Sequence, residues 1–313
     1  MPKLVSSLVH AQIMLLNPLL KRMDLKAARM LQDALGVLGA TALAGGVSYV
    51  DEPFEEFDAA WAVPKGAEED KAILYLHGGA YTAGCLSYAK GFGGVLAETT
   101  DRKVLCVGYR LAPEFPYPAA LDDALTAYRR MLETYAPDDI LLAGESAGGG
   151  LCYCLCLKLK ELGLPQPGRI IALSPWTDLT MTREGYPAEG ESADPVLSVE
   201  GLKYSALMYA GERVDEPTAS PLYGDLSGLP ESLIFAGSDE ILLGDSVEMA
   251  KKLERQGCAC ELHVEEGMWH AYVLYGIPEA KAALERIREY TADGQVGETA
   301  HGEEQRRKYT HMA

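Results

Sequence analysis

The residues with the clearest chemical potential lie in "ILLAGESAGGG", where Gly144, Ser146 and Gly148 form a G-x-S-x-G pattern between a strand-like run and a helix-like run. In a chain carrying 32 glycines the pattern alone says little, but strand, turn, helix is the setting of a nucleophile elbow. Small flanking residues let a sharp turn bring backbone segments together while the serine hydroxyl is lifted into the open. The competing reading is a helix N-cap serine after a tight turn. As a nucleophile, a serine hydroxyl is weak near neutral pH and needs a general base. Of the six histidines, His10, His301 and His311 lie near the termini, His77 belongs to a glycine turn and His263 falls inside a strand pattern. That leaves His270, in "EEGMWHAY" beyond the last strand-like run.

Two further clusters suit acyl transfer. His77-Gly78-Gly79-Ala80 follows the run "AILYL", and glycines there would let backbone N–H groups approach a developing oxyanion. The rival use of such a turn, phosphate binding, calls for G-x-x-x-x-G-K-[ST] or G-x-G-x-x-G, and neither occurs. A catalytic histidine also needs a carboxylate to fix its tautomer and stabilise the imidazolium. The stretch "SDEILLGDS", after the run "LIFAG", offers Asp239, Glu240 and Asp245. Asp245 reads as the start of the next helix, where negative charge complements the dipole; Asp239 and Glu240 both remain.

These residues need a scaffold, and the period of the sequence supplies one. Residues 1–45 repeat apolar positions at helical intervals up to Gly45-Gly46. "VSYV" and "FDAAWAV" read as two strands, followed by short continuously apolar runs at 72–76, 104–109, 140–144, 170–174, 233–237 and 260–265. Such runs suit strands buried on both faces. Helix-length segments at 118–135, 147–162, 245–256 and 278–292 alternate with them, which predicts an α/β fold with a mostly parallel sheet covered on both sides. The expected organisation is a core of 46–177 and 230–293, a cap from residues 1–45 and an insertion at 178–229, and a polar tail at 294–313. The insertion is rich in Gly, Pro and Glu, with one helix around Val199 to Tyr209.

Composition narrows the function classes. With 28 basic and 46 acidic residues the net charge of -18 repels nucleic acid and anionic membranes. The N-terminal apolar stretch is broken by Ser6, Ser7, His10, Gln12 and Asn17, which fits neither a secretory segment nor a membrane span. A cytoplasmic protein is expected. Seven cysteines are an odd count for a disulfide framework. Cys152, Cys154 and Cys156 do not make a metal site, because only the first and last share a helix face. No metal or cofactor is implied.

In order along the chain, "HGGAYTAG", "YRLAPEFPYPAALDD", "GESAGGG", "SPWTDL" and "GMWHAY" resemble the hormone-sensitive lipase group of α/β-hydrolase esterases, over about residues 70–290. The resemblance implies an eight-stranded sheet, a helical cap that includes the N-terminus, and hydrolysis of carboxylic esters with short acyl chains. Carried onto matching positions, it implies Ser146 as nucleophile, His270 as base, and the backbone N–H groups of Gly79, Ala80 and Ala147 as the oxyanion hole, on a turn supported by His77 and Gly78. The family's acid segment, aligned without a gap, falls on Glu240; residue type favours Asp239 as its rival. Ala80 replaces the family's usual third glycine, which is expected to be tolerated at negative φ, and Glu145 stands where Asp is commoner, with a supporting rather than catalytic role. Arg110 and Glu114 are expected to pair. Tyr81, Trp176, Met208, Tyr209 and Trp269 are candidate lining residues of the substrate site or of the core. The same triad could serve an amidase or lactonase, and related plant receptors have lost the histidine that this chain keeps. The final strand would permit edge-to-edge homodimers.

Overall fold

The computed structural model describes residues 2–20, 25–42, 46–187 and 193–292. Eight strands, β1 (Val47–Pro53), β2 (Asp58–Pro64), β3 (Glu68–Leu76), β4 (Arg102–Gly108), β5 (Ile140–Glu145), β6 (Arg169–Leu173), β7 (Glu231–Gly237) and β8 (Cys260–Glu265), form one sheet in the order β1-β2-β4-β3-β5-β6-β7-β8. β1 and β2 pair antiparallel, as do β2 and β4, while every other pair is parallel.

The helices are α1 (Pro2–Leu20), α2 (Leu25–Ala42), α3 (Leu86–Thr100), α4 (Ala119–Leu132), α5 (Ala147–Leu162), α6 (Val199–Ala210), α7 (Leu243–Arg255) and α8 (Pro278–Ala292). The sheet separates two cores, and β3 makes the division visible residue by residue. Ala72, Leu74 and Leu76 join the core that holds Leu121 of α4, Leu151 of α5 and Leu253 of α7. Ile73 and Tyr75 join the one that holds Leu96 of α3 and Ile287 of α8. Successive side chains point to opposite faces, so a strand covered on both must be apolar throughout. β5 is buried at all six positions. Fully burying one Leu or Ile contributes about 1.5–3 kcal/mol, so these central strands fix the ends on which the loops stand.

The strands and four core helices expected from sequence are present, with ends shifted by a few residues. α3 was not expected: Gly91, Gly93 and Gly94 dilute its helical pattern. The insertion carries α6, started by Ser198, whose hydroxyl accepts from Gly201 N at 3.1 Å. The tail expected at 294–313 lies outside the described residues. No helix among the described residues is long and apolar enough to cross a membrane.

Candidate active site

All parallel strands end on one edge, and the loops leaving β3, β5, β6, β7 and β8 carry the residues of interest. Ser146 is the turn between β5 and α5, with φ 55° and ψ −123°. It is held there from both sides: its N–H donates to Leu173 O at 2.8 Å, and its carbonyl accepts from Trp176 N at 2.9 Å and Gly150 N at 3.1 Å. A side chain on Gly148 would sit 1.9 Å from Leu76 O, so the elbow closes against the end of β3 only with glycine there. Ser146 is therefore not a conventional N-cap, and its side chain caps nothing.

The turn after β3 is fixed by Glu145, the residue before the serine. Its buried carboxylate accepts from Tyr75 Oη at 2.5 Å and from Gly78 N at 2.6 Å. Burial pushes its pKa up to about 7 against the lowering effect of those donors. His77 stacks on Tyr109 with ring centroids 4.2 Å apart, donates from Nδ1 to Gly78 O at 2.7 Å, and gives its carbonyl to Tyr109 Oη at 2.6 Å. Thr82 N and Ala83 N return to Gly79 O at 3.0 and 2.9 Å, which leaves the amides of Gly79 and Ala80 outside these bonds. Gly79 has φ 116°, and a side chain there would lie 2.2 Å from Ala83 O. Ala80 departs from the expectation of negative φ: it is held at φ 52°, because the turn demands the left-handed conformation at this position too. Ala147 is the first residue of α5, where the helix dipole favours negative charge.

The acid loop distinguishes its two neighbours. Asp239 is exposed, and its carboxylate accepts from the neighbouring Ser238 Oγ at 2.8 Å. Glu240 is 6 % exposed. Its Oε2 accepts from Ser174 Oγ at 2.6 Å and Gly237 N at 3.0 Å, while Oε1 is buried without a partner among the described residues. Burial, more than the nearby charges of Asp194 and Asp245, pushes Glu240 up to about 8. His270 is 4 % exposed, with Nδ1 likewise buried and unpartnered, and desolvation pushes its pKa down to about 3. The neutral imidazole that a general base requires is thus the favoured form. Five of the seven non-glycine residues with positive φ among the described residues, Ala80, Tyr81, Ser146, Ser174 and Ala271, lie in these loops. Such strain gathers where surrounding structure must hold a functional geometry.

Other expectations changed. Asp245 is in the first turn of α7, but its carboxylate is fully buried and serves the loop after β6. It accepts from Thr177 N, Asp178 N, Arg183 Nη2 and Tyr186 Oη at 2.9, 3.0, 2.6 and 2.5 Å. Arg110 pairs with Asp123 and Glu56 rather than Glu114. Glu114 is taken by Arg29 of α2 at 2.8 Å, which also donates to Thr82 O and Ala112 O. Of the candidate lining residues, Tyr81, Trp176, Tyr209 and Trp269 are fully buried and only Met208 keeps partial exposure; Tyr81 and Tyr209 stack at 3.8 Å. All seven cysteines are free thiols, and no metal-binding cluster occurs among the described residues.

A profile of the family described by the alpha/beta hydrolase fold matches residues 73–274. The chain belongs to the α/β-hydrolase fold family. It is 36% identical over 229 residues to an esterase of Acinetobacter venetianus, covering 72% of this chain and 75% of that protein. It is 34% identical to an acetyl-hydrolase of Streptomyces hygroscopicus, over 72% of this chain and 77% of that protein. A solved esterase from the bacterial hormone-sensitive lipase family superposes with a TM-score of 0.80 at 31% identity, covering 90% of this chain and 96% of that one. The resemblance read from the motifs therefore stands: these relatives of the α/β-hydrolase are esterases and an acetyl-hydrolase.

Proposed function

We propose that this chain is a serine carboxylesterase acting on small esters with short acyl chains. Ser146 Oγ attacks the ester carbonyl, forming a tetrahedral intermediate whose oxygen is met by the N–H groups of Gly79, Ala80 and Ala147. His270 takes the serine proton and returns it to the leaving alcohol, and water then hydrolyses the acyl-enzyme with the same histidine as base. Glu240 holds Nδ1–H of His270 through Oε1 when the base is charged, a pairing supported by two of the buried atoms that lack partners among the described residues, Glu240 Oε1 and His270 Nδ1. Its ionised form offsets the charge of an imidazolium in a dry site. The observation that carries the reading is the elbow itself, a serine held at φ 55° between β5 and the N-terminus of α5.

Residues 1–45 and 178–229 act as a cap that shapes the acyl and alcohol pockets. In support, the His10 ring of α1 lies 5.5 Å from that of Trp269, and Asp194 of the insertion accepts from Ile241 N at 3.1 Å, next to Glu240. A cytoplasmic site of action suits the acidic, freely thiol-bearing chain, and β8 at the sheet edge could pair with a second copy. A panel of p-nitrophenyl acetate and butyrate, the matching anilides and simple lactones tests the substrate class. Ester turnover lost in Ser146→Ala is expected; turnover confined to anilides or lactones would replace the ester reading, and absence of any turnover would refute it.

A further inference from the structure

Ser174 stands between the loops of the proposed acid and base, and nothing about the reaction requires a serine there. It follows β6 directly, is 2 % exposed, and has φ 48°, a conformation that costs any residue with a Cβ. Its N–H donates to Phe235 O at 2.6 Å, on the neighbouring β7. Its hydroxyl works in both directions, donating to Glu240 Oε2 at 2.6 Å and accepting from Ala271 N at 3.0 Å. Ala271, the residue after His270, is itself held at φ 54°. With Gly237 N also on Oε2, that oxygen is fully engaged, and the carboxylate can turn only Oε1 toward an outside partner.

We propose that Ser174 is a positioning residue: one hydroxyl ties the carboxylate of Glu240 to the peptide that carries His270, setting the rotation of the acid and the placement of the base together. This deepens the triad reading above and rests on it. A hydroxyl that only filled space would not need a donor role toward a carboxylate and an acceptor role toward a peptide at once, nor would it justify a strained backbone in the core. Misplacing a catalytic group by about 1 Å can cost on the order of a hundredfold in rate, so the effect should fall on turnover and not on substrate binding.

The test exploits the opposite demands of backbone and side chain. Ser174→Ala removes the hydroxyl and keeps the strain; Ser174→Gly removes the hydroxyl and relaxes it. On p-nitrophenyl butyrate both full-length variants should lose roughly tenfold to a hundredfold in kcat with KM changed less than about twofold, while Ser174→Gly melts above Ser174→Ala. Turnover then follows the hydroxyl and melting follows φ. In a Glu240→Gln background, Ser174→Ala should cost almost nothing more, as groups acting as one unit are not additive. If Glu240→Gln is itself fully active, the triad reading fails and Ser174 loses its role with it. If Glu240→Gln is inactive but either Ser174 variant keeps kcat within about twofold, the positioning role alone is overturned. Failure of both Ser174 variants to fold would also overturn it, because the hydroxyl would then be needed for the fold itself.

Discussion

Glu240→Gln should lose about ten-thousandfold in kcat while Asp239→Asn stays near wild type, and the different surroundings of the two carboxylates supply the reason. Gln keeps the size of the side chain and can still accept through one oxygen from Ser174 Oγ and Gly237 N, now at 2.6 and 3.0 Å from Oε2. Its amide NH2 then occupies the place of Oε1 and faces a ring nitrogen that must donate, so the imidazole is driven to the wrong tautomer and its charged form loses its counter-charge. The same carboxylate-to-amide change in a serine protease triad costs about 10⁴ in turnover, or about 5.4 kcal/mol of barrier. Asp239 is exposed and bonded to Ser238 Oγ, so its change is worth no more than about 0.5 kcal/mol. Stability should move the other way. With its pKa pushed up to about 8 in the folded protein, Glu240 binds its proton more tightly folded than unfolded. Its contribution is complete below the ordinary carboxylate range and is lost as pH rises through about 8. Relative to wild type, Glu240→Gln therefore gains stability between those limits, by at most about 1.4 kcal/mol per pH unit. Initial rates on p-nitrophenyl butyrate and urea unfolding at pH 5 and pH 8 check both halves. More than a tenth of wild-type kcat in Glu240→Gln, or the large loss appearing in Asp239→Asn, would refute the reasoning.

Three further outcomes follow from the same site. Ala80→Gly removes a left-handed alanine worth about 1–2 kcal/mol of strain and adds glycine's chain entropy of about 0.5–1 kcal/mol, so thermal unfolding should show it unchanged to about 1.5 kcal/mol more stable, with activity kept because the donor is a backbone amide. Asp245→Ala leaves Arg183 and two buried amides without their acceptor and should cost about 3–5 kcal/mol, seen as a melting point lower by roughly 10 °C. His270→Gln should resist acid better than wild type: the folded imidazole refuses a proton until about pH 3 while the unfolded one takes it up near pH 6.5, so wild type loses stability across that window and the variant loses less, as unfolding at pH 4 and pH 7 would reveal.

Most of the scaffold was legible because the strands of a doubly covered sheet must be apolar on both faces, and the runs at 140–144 and 233–237 mark β5 and β7 to within two residues. The places of Ser146, the glycine turn and His270 were legible because each follows the end of an apolar strand run, β5, β3 and β8. What escaped depends on partners far apart in sequence. Ser174 meets Glu240 across 66 residues and Ala271 across 97, and Arg29 reaches Glu114 across 85; no local pattern encodes such bonds. The positive φ of Ala80 escaped for the opposite reason, since an alanine by itself argues for negative φ and only the closed turn around Gly79 overrides it. Asp245 shows both effects: its position in a first helical turn was readable, whereas the four donors that hold its carboxylate come from residues 177–186.

In the proposed reaction Ser146 carries the acyl group between two half-reactions, and pre-steady-state kinetics with p-nitrophenyl butyrate tests this without intermediary. The account predicts a nitrophenolate burst of one equivalent per chain wherever deacylation is the slower step, and a trapped adduct of one butyryl group on the peptide containing Ser146 after rapid acid quench. An adduct on another residue, or catalysis undiminished in Ser146→Ala, would contradict it.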